Sequence, residues 1–311
     1  MVHRKWDVMM EGVRARNGAG NSVVSVEREI LPTRTEHSEN FPVASYLVAP
    51  QHRVPILAFY RFVRAADDIA DHPTLTPDEK LRGLAAMKTA LKGDGGDEPK
   101  ARALREALTS RGLTARHALD LLAAFRLDVT KSRYKDWGEL MDYCALSAMP
   151  VGRFVLDVHN ESASLWPASD AICASLQVIN HLQDCGLDFK RLDRVYLPQE
   201  AFERHGATIA ELGAPRASKA LQALISDLAR GSERLLDEGA SLAGDVKDFR
   251  LGCEIGAIVR LARANCARLQ SRDPLSQRVH PTKASFVALT LIGAFDGASA
   301  QVLARGRSPR R

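Results

Sequence analysis

The sequence predicts an all-α protein folded as a single-domain helical bundle, and three observations carry that prediction. Apolar residues recur at helical spacing along most of the chain, with almost no alternating, strand-like stretch. Glycine clusters and prolines fall mainly between those stretches, and no gap is long enough to be an interdomain linker. Finally, 45% of the 311 residues are hydrophobic and 26% charged, which suits a real core and not disorder.

Taken in order, helices are expected over 51–71, 77–91, 98–110, 114–130, 137–148, 151–160, 167–189, 218–239, 246–271 and 282–304. The run 92–97, with Gly93, Gly95 and Gly96, reads as a flexible turn, and Pro150, Pro198, Pro215, Pro274 and Pro281 mark boundaries. The stretch 285–304 is interrupted by Asp296 and by small residues, so it reads as a buried terminal helix. Three parts follow: an N-terminal extension over 1–34, a helical domain over 35–304 and a basic tail over 305–311. No internal repeat is visible.

Composition narrows the function. Net charge is +5, concentrated at the ends in Arg4, Lys5, Arg14 and Arg16 and in Arg305, Arg307, Arg310 and Arg311. Solvated tails are the plainer reading. A peripheral contact with an anionic membrane surface is the other, at up to roughly 1 kcal/mol per charge near the surface. With 6% aromatic residues and no basic run interleaved with stacking rings, nucleic-acid binding is not expected. Cys144, Cys173, Cys185, Cys253 and Cys266 are scattered and form no C-x-x-C pair, which argues against a disulfide framework or a zinc knuckle and for a reducing cytoplasm. There is no H-E-x-x-H, no apolar run of membrane-spanning length and no secretory signal at the start.

The chemistry is concentrated in 51–71, QHRVPILAFYRFVRAADDIAD, a helix apolar nearly all round through which one polar line runs. Tyr60, Arg64, Asp67 and Asp71 are four, three and four residues apart and share a face, with Asp68 turned about 100° away. An exposed Arg64–Asp68 salt bridge is the ordinary reading of such a pattern, but apolar surroundings force buried carboxylates to meet cations or polar partners in a cavity. A second helix repeats the theme: Gln177, Asn180, Asp184 and Asp188 share a face at spacings of three, four and four. Two i, i+4 carboxylate pairs on otherwise apolar helices suit hard cations such as Mg²⁺, which commonly bridge to substrate phosphates. Between them, Tyr143 and Ser147 lie one turn apart near Gly152, where small side chains could admit a long ligand, although core packing is the simpler explanation for Ser147 and Gly152.

In this order the motifs resemble those of the squalene/phytoene synthase family of trans-isoprenyl diphosphate synthases. The likeness covers about 38–279 and runs through Tyr60-x3-Arg64-x2-Asp67-Asp68-x2-Asp71, Tyr143-Cys144 leading to Val151-Gly152, and Gln177-x2-Asn180-x3-Asp184-x3-Asp188 with Arg194-x-Tyr196-Leu197-Pro198. HSENFPVASYLVAP and INHLQDCGLDF are similar to the bacterial hydroxysqualene synthases within that family. The resemblance implies an isoprenoid-synthase bundle around a central apolar cavity, and conversion of presqualene diphosphate and water to hydroxysqualene and diphosphate.

It further implies that Asp67, Asp71, Asn180, Asp184 and Asp188 surround Mg²⁺. Ser38, Tyr60, Arg64, Gln177 and Arg278 would then contact diphosphate or the adjoining chain, and Tyr143 would face the reacting carbons. Family members that condense two diphosphates usually carry arginine immediately before the first aspartate of the second motif. This chain has Gln183 there, as expected for a substrate with one diphosphate. The water could be placed by Tyr143, His181 or Gln183, each of which also has a structural reading. No glycine-rich dinucleotide loop follows a strand, so NADPH is not expected, and reduction to squalene would fall to partner enzymes. Two alternatives stand beside this: condensation of two farnesyl diphosphates to presqualene diphosphate, dehydrosqualene or a phytoene-type product, and a non-catalytic assembly factor. The latter would be expected to have eroded an acidic motif, and both are complete here.

Overall fold

Proline and capping side chains set where the first helices begin. In the computed structural model, which describes residues 48–307, α1 (Pro50–Ala70) opens on Pro50, where a missing N–H is harmless. Pro55 lies inside α1 and cannot donate to the Gln51 carbonyl, so Arg111 Nη1 donates to it from across the bundle at 2.8 Å. α2 (Pro77–Lys92) is closed by a reciprocal cap: the Thr76 N–H donates to Glu79 Oε2 at 2.8 Å and the Glu79 N–H to Thr76 Oγ1 at 3.3 Å. Glu98 caps α3 (Pro99–Thr109), α4 spans Arg116–Thr130, and Asp136 caps α5 (Trp137–Ser147).

Next come α6 (Met149–Val158), the long α7 (Trp166–Leu192), α8 (Gln199–His205), α9 (Lys219–Glu238) and α10 (Leu242–Asp245). Then α11 (Phe249–Ser271) starts on the Asp248 cap, and α12 (Lys283–Arg307) closes the described chain. Among the described residues there is no sheet, only an isolated parallel bridge between Arg133 and Val195. Two packed regions form the interior. Phe59, Phe62, Leu84, Leu104 and Leu121 fill one, between α1, α2, α3 and α4; Cys144, Val178, Ile225 and Leu261 fill the other, between α5, α7, α9 and α11. Helices α4 and α6 serve both, since Phe125 and Phe154 face the first region and Ala124 and Leu156 the second, so the two join into one bundle.

The structure moves several expected boundaries. The break between α5 and α6 falls at Ala148, and Pro150 is absorbed in the first turn of α6. Helices α8 and α10 were not anticipated, since seven and four residues are too few to show a period. The expected burial of the terminal helix is overturned: Leu291 is 66% and Phe295 73% exposed, and Val287 and Val302 also face outward. The reason is the seam with α11, where backbones touch: a Cβ on Gly256 would lie 2.3 Å from the Gly293 oxygen, and one on Gly297 2.2 Å from the Gly252 oxygen. Glycines occupy the inner side of α12, so its large apolar residues are left on the outer one.

Candidate active site

The polar stripe of α1 is buried as the spacing implies. Asp67 is 1% exposed and Asp71 is also buried, with Tyr60 and Arg64 half-buried above them. Arg64 Nη1 donates to Asp67 Oδ2 at 3.4 Å, and Nη2 lies 3.1 Å from Asp68 Oδ1. The ordinary Arg64–Asp68 bridge therefore exists, beside the buried pair and not in place of it. Burial first, and then the neighbouring Asp71 carboxylate, push the Asp67 carboxyl well above its usual range. The native chain thus holds a proton that the unfolded chain has already lost above pH 3.8. Without divalent ions, stability should fall as pH rises from there through the raised value. Thermal melts against pH in chelator will show that falling limb, and Asp67→Asn will flatten it.

On α7, Gln177, Asp184 and Asp188 are buried and Asn180 half-buried. The ends of the two acidic helices are joined by Arg194, just past the αL cap of α7 at Asp193. Its backbone N–H donates to the Asp188 carbonyl at 3.3 Å, and its Nη1 to Asp71 Oδ1 at 3.1 Å. Asp67 and Asp184 each lie one turn back from this joint, about 6 Å along their helices. Nη2 of Arg194 donates to the Asp128 carbonyl at 2.8 Å, and Tyr196 and Tyr143 donate their hydroxyls to Asp128 Oδ1 at 2.7 and 2.8 Å. His181 stacks on Tyr196 with ring centroids 3.5 Å apart. Burial and then the Asp128 carboxylate raise the Tyr143 phenol far above its ordinary value, so it stays a donor. Burial alone would lower the Arg194 guanidinium, but the Tyr196 phenol and the Asp128 and Asp71 carboxylates leave it raised overall.

A cavity of about 130 Å³ opens beside α7, with Ser147, Gly152, Gln177, Asn180, Glu254 and Ile255 in its wall. Gln177 Nε2 donates to Ser147 Oγ at 3.0 Å, so Ser147 is a polar wall residue as well as packing. Gly152 is where α6 approaches α7: a Cβ there would stand 2.2 Å from Ser169 Oγ and 2.6 Å from Cys173 Sγ. Gly152→Val should lower stability by about 1–3 kcal/mol through overpacking and narrow the cavity; denaturant melts, with product chain length by mass spectrometry, check both.

Sequence reasoning missed Asp128 and Glu254. The only local signal for Glu254 is a charged residue within an apolar run of α11. Other expected residues are not brought to the joint by any contact described: Arg278 is exposed, its Nη2 donating to the Pro281 carbonyl at 3.1 Å, and Ser38 lies outside the described residues. A separate His/His/Asp cluster could hold a divalent metal: ligand atoms of His52, His159 and Asp248 lie within 4.8 Å of one another. It stands 19 residues from Asp71 along α1, about 28 Å away. Its two imidazoles suit softer ions than Mg²⁺.

The bundle and its apolar cavity are those of the isoprenoid-synthase fold. A sequence profile of the family described as squalene/phytoene synthase matches residues 34–285. The chain is 57% identical over 242 residues to the hydroxysqualene synthase of Sinorhizobium fredii, covering 78% of this chain and 83% of that protein. It is 50% identical over 283 residues to that of Rhodopseudomonas palustris, covering 90% and 96%. Among solved structures, the squalene synthase HpnC of Alicyclobacillus acidocaldarius superposes with a TM-score of 0.60 at 27% identity, over 85% of this chain and 86% of that one. This chain belongs to the squalene/phytoene synthase family, and it is an enzyme of that family's isoprenoid diphosphate chemistry.

Proposed function

We propose that the enzyme converts presqualene diphosphate and water to hydroxysqualene and diphosphate, a step towards squalene and hopanoids. The observation that carries this reading is the set of four buried carboxylates at the ends of α1 and α7, with a largely apolar cavity opening farther back along α7 at Gln177 and Asn180. Two relatives whose names state this activity support it. Gln183, buried and uncharged just before Asp184, supports a substrate with a single diphosphate over condensation of two farnesyl diphosphates.

The donor set fits Mg²⁺, because Asp67, Asp71, Asn180, Asp184 and Asp188 offer only oxygen ligands. When bound, Mg²⁺ supplies Lewis-acid stabilisation of the departing diphosphate. Arg64, Tyr60, Gln177 and Ser38 would contact diphosphate or the adjoining chain, as would Arg278 if the substrate draws its segment in. Tyr143 acts by position: its hydroxyl fixes Asp128, which with Arg194 holds the joint. The cavity shields the carbocation from bulk water. A C–O bond to diphosphate is exchanged for a C–O bond to hydroxyl, so carbon keeps its oxidation level and no NADPH enters. A separate reductive enzyme must follow to reach squalene.

The test is product analysis with Mg²⁺, presqualene diphosphate and ¹⁸O-water. Labelled hydroxysqualene is expected; consumption of farnesyl diphosphate with presqualene diphosphate left untouched would overturn the reading. The site of action is proposed as cytoplasmic, with peripheral contact at the inner membrane. Contrary to the reading of the sequence, one helix among the described residues, α12, is long and apolar enough to cross a bilayer by length and composition. Its outward Leu291 and Phe295, on a helix followed in sequence by a basic tail, suit an interfacial contact with anionic lipid. Replacing both apolar residues by serine should abolish co-sedimentation with anionic vesicles; unchanged binding would refute that contact.

A further inference from the structure

Hydration of a carbocation makes two demands on the protein. One water must be held against one face of the cation, and its proton must have somewhere to go as the C–O bond forms. The residues that sequence reasoning offered for this task are placed elsewhere. Tyr143 gives its hydroxyl to Asp128 at 2.8 Å, His181 stacks on Tyr196, and neither is in the cavity wall; nor is Gln183.

Among the described residues that line the cavity, Glu254 is the one carboxylate. It is 7% exposed and lies on α11 between the wall residues Leu251, Ile255 and Ile258, sharing the cavity with Gln177 and Asn180 of α7. A carboxylate in an apolar wall costs desolvation that a leucine there would avoid. At this place in the wall it is the carboxylate that a cationic intermediate and a polarised water held in the cavity would meet.

We propose that Glu254 orients and deprotonates the water that captures the carbocation, an inference that rests on the hydration reading above. In the step, the C–O bond to diphosphate breaks and its electron pair leaves with the diphosphate. After rearrangement of the cation, a lone pair of the water oxygen forms the new C–O bond. The surplus O–H proton passes to the Glu254 carboxylate, and from there to solvent on product release. Without this acceptor the cation is quenched instead by loss of a C–H proton, which gives alkene.

The experiment is single-turnover reaction of presqualene diphosphate with Mg²⁺ in ¹⁸O-water. Alcohol and alkene products are separated by mass spectrometry, diphosphate release is followed in parallel, and folding is checked by melting temperature. Glu254→Gln keeps shape and hydrogen bonding but accepts no proton; Glu254→Leu removes both. The ratio of labelled alcohol to alkene should fall about tenfold or more in both variants, with diphosphate release falling by less, and Glu254→Asp should recover part of the ratio. Wild-type partition in folded Gln and Leu variants overturns the role of Glu254 while leaving the hydration reading intact. Loss of diphosphate release in parallel with alcohol also overturns it, because Glu254 would then act before capture. If wild-type enzyme itself yields no labelled alcohol, the hydration reading fails first and is seen to fail separately.

Discussion

Asp184→Asn should lower turnover of presqualene diphosphate about 10²–10³-fold, equivalent to roughly 3–4 kcal/mol of transition-state stabilisation, with no loss of fold. Asparagine keeps the size of the side chain and one oxygen ligand, but removes the charge that attracts a dication into a site 3% exposed to solvent. In the metal-free protein the same change should leave stability unchanged or raise it, because a buried carboxylate no longer has to be desolvated. Opposite signs in activity and stability separate a ligand from a structural residue. Asp67→Asn combined with Asp184→Asn should lose little more than either alone, since residues that hold one set of ions act as a unit. Turnover within threefold of wild type, an arbitrary but strict limit of about 0.7 kcal/mol, together with unchanged Mg²⁺ dependence, would remove Asp184 from the ion site.

How far the site could be read in advance depends on whether a residue's importance is local. Asp67, Asp71, Asp184 and Asp188 were legible because helical periodicity places each pair on one face, and an apolar helix gives such a pair no ordinary explanation. Asp128 was not. In the sequence it is one charge among several on 114–130, and it matters only because Arg194, Tyr196 and Tyr143 reach it from two other segments. Glu254 gave one weak cue, a lone carboxylate in an apolar run, and which side of α11 faces a cavity is a property of the packed bundle. The terminal helix shows the same limit from the other direction. Its apolar composition was plain, but whether another element covers it is settled by tertiary placement, and the glycines of its seam put the large residues outside.

Arg194→Met carries the largest expected effect on stability, a loss of about 3–5 kcal/mol in urea unfolding, the cost of breaking a buried pair from one side. The guanidinium is 3.1 Å from Asp71 Oδ1 and 4.0 Å from Asp128 Oδ1, and these two carboxylates are 2% and 0% exposed at the side chain. Removing it leaves both negative, buried and facing a vacated position, and withdraws the donor from the Asp128 carbonyl. Arg194→Lys should fall between, because an ammonium keeps the charge but cannot span Asp71 and the Asp128 carbonyl as the planar fork does. Adding Asp71→Asn to Arg194→Met should return part of the loss, and the double-mutant cycle measures the coupling. The ion site makes a further demand on the same variant. If Asp71 belongs to it, Mg²⁺ replaces some of the missing positive charge and should raise the melting temperature of Arg194→Met by more than that of wild type. An equal rise in both would place Asp71 outside the reach of the ions, and would leave Arg194 as a clamp between helices and nothing more.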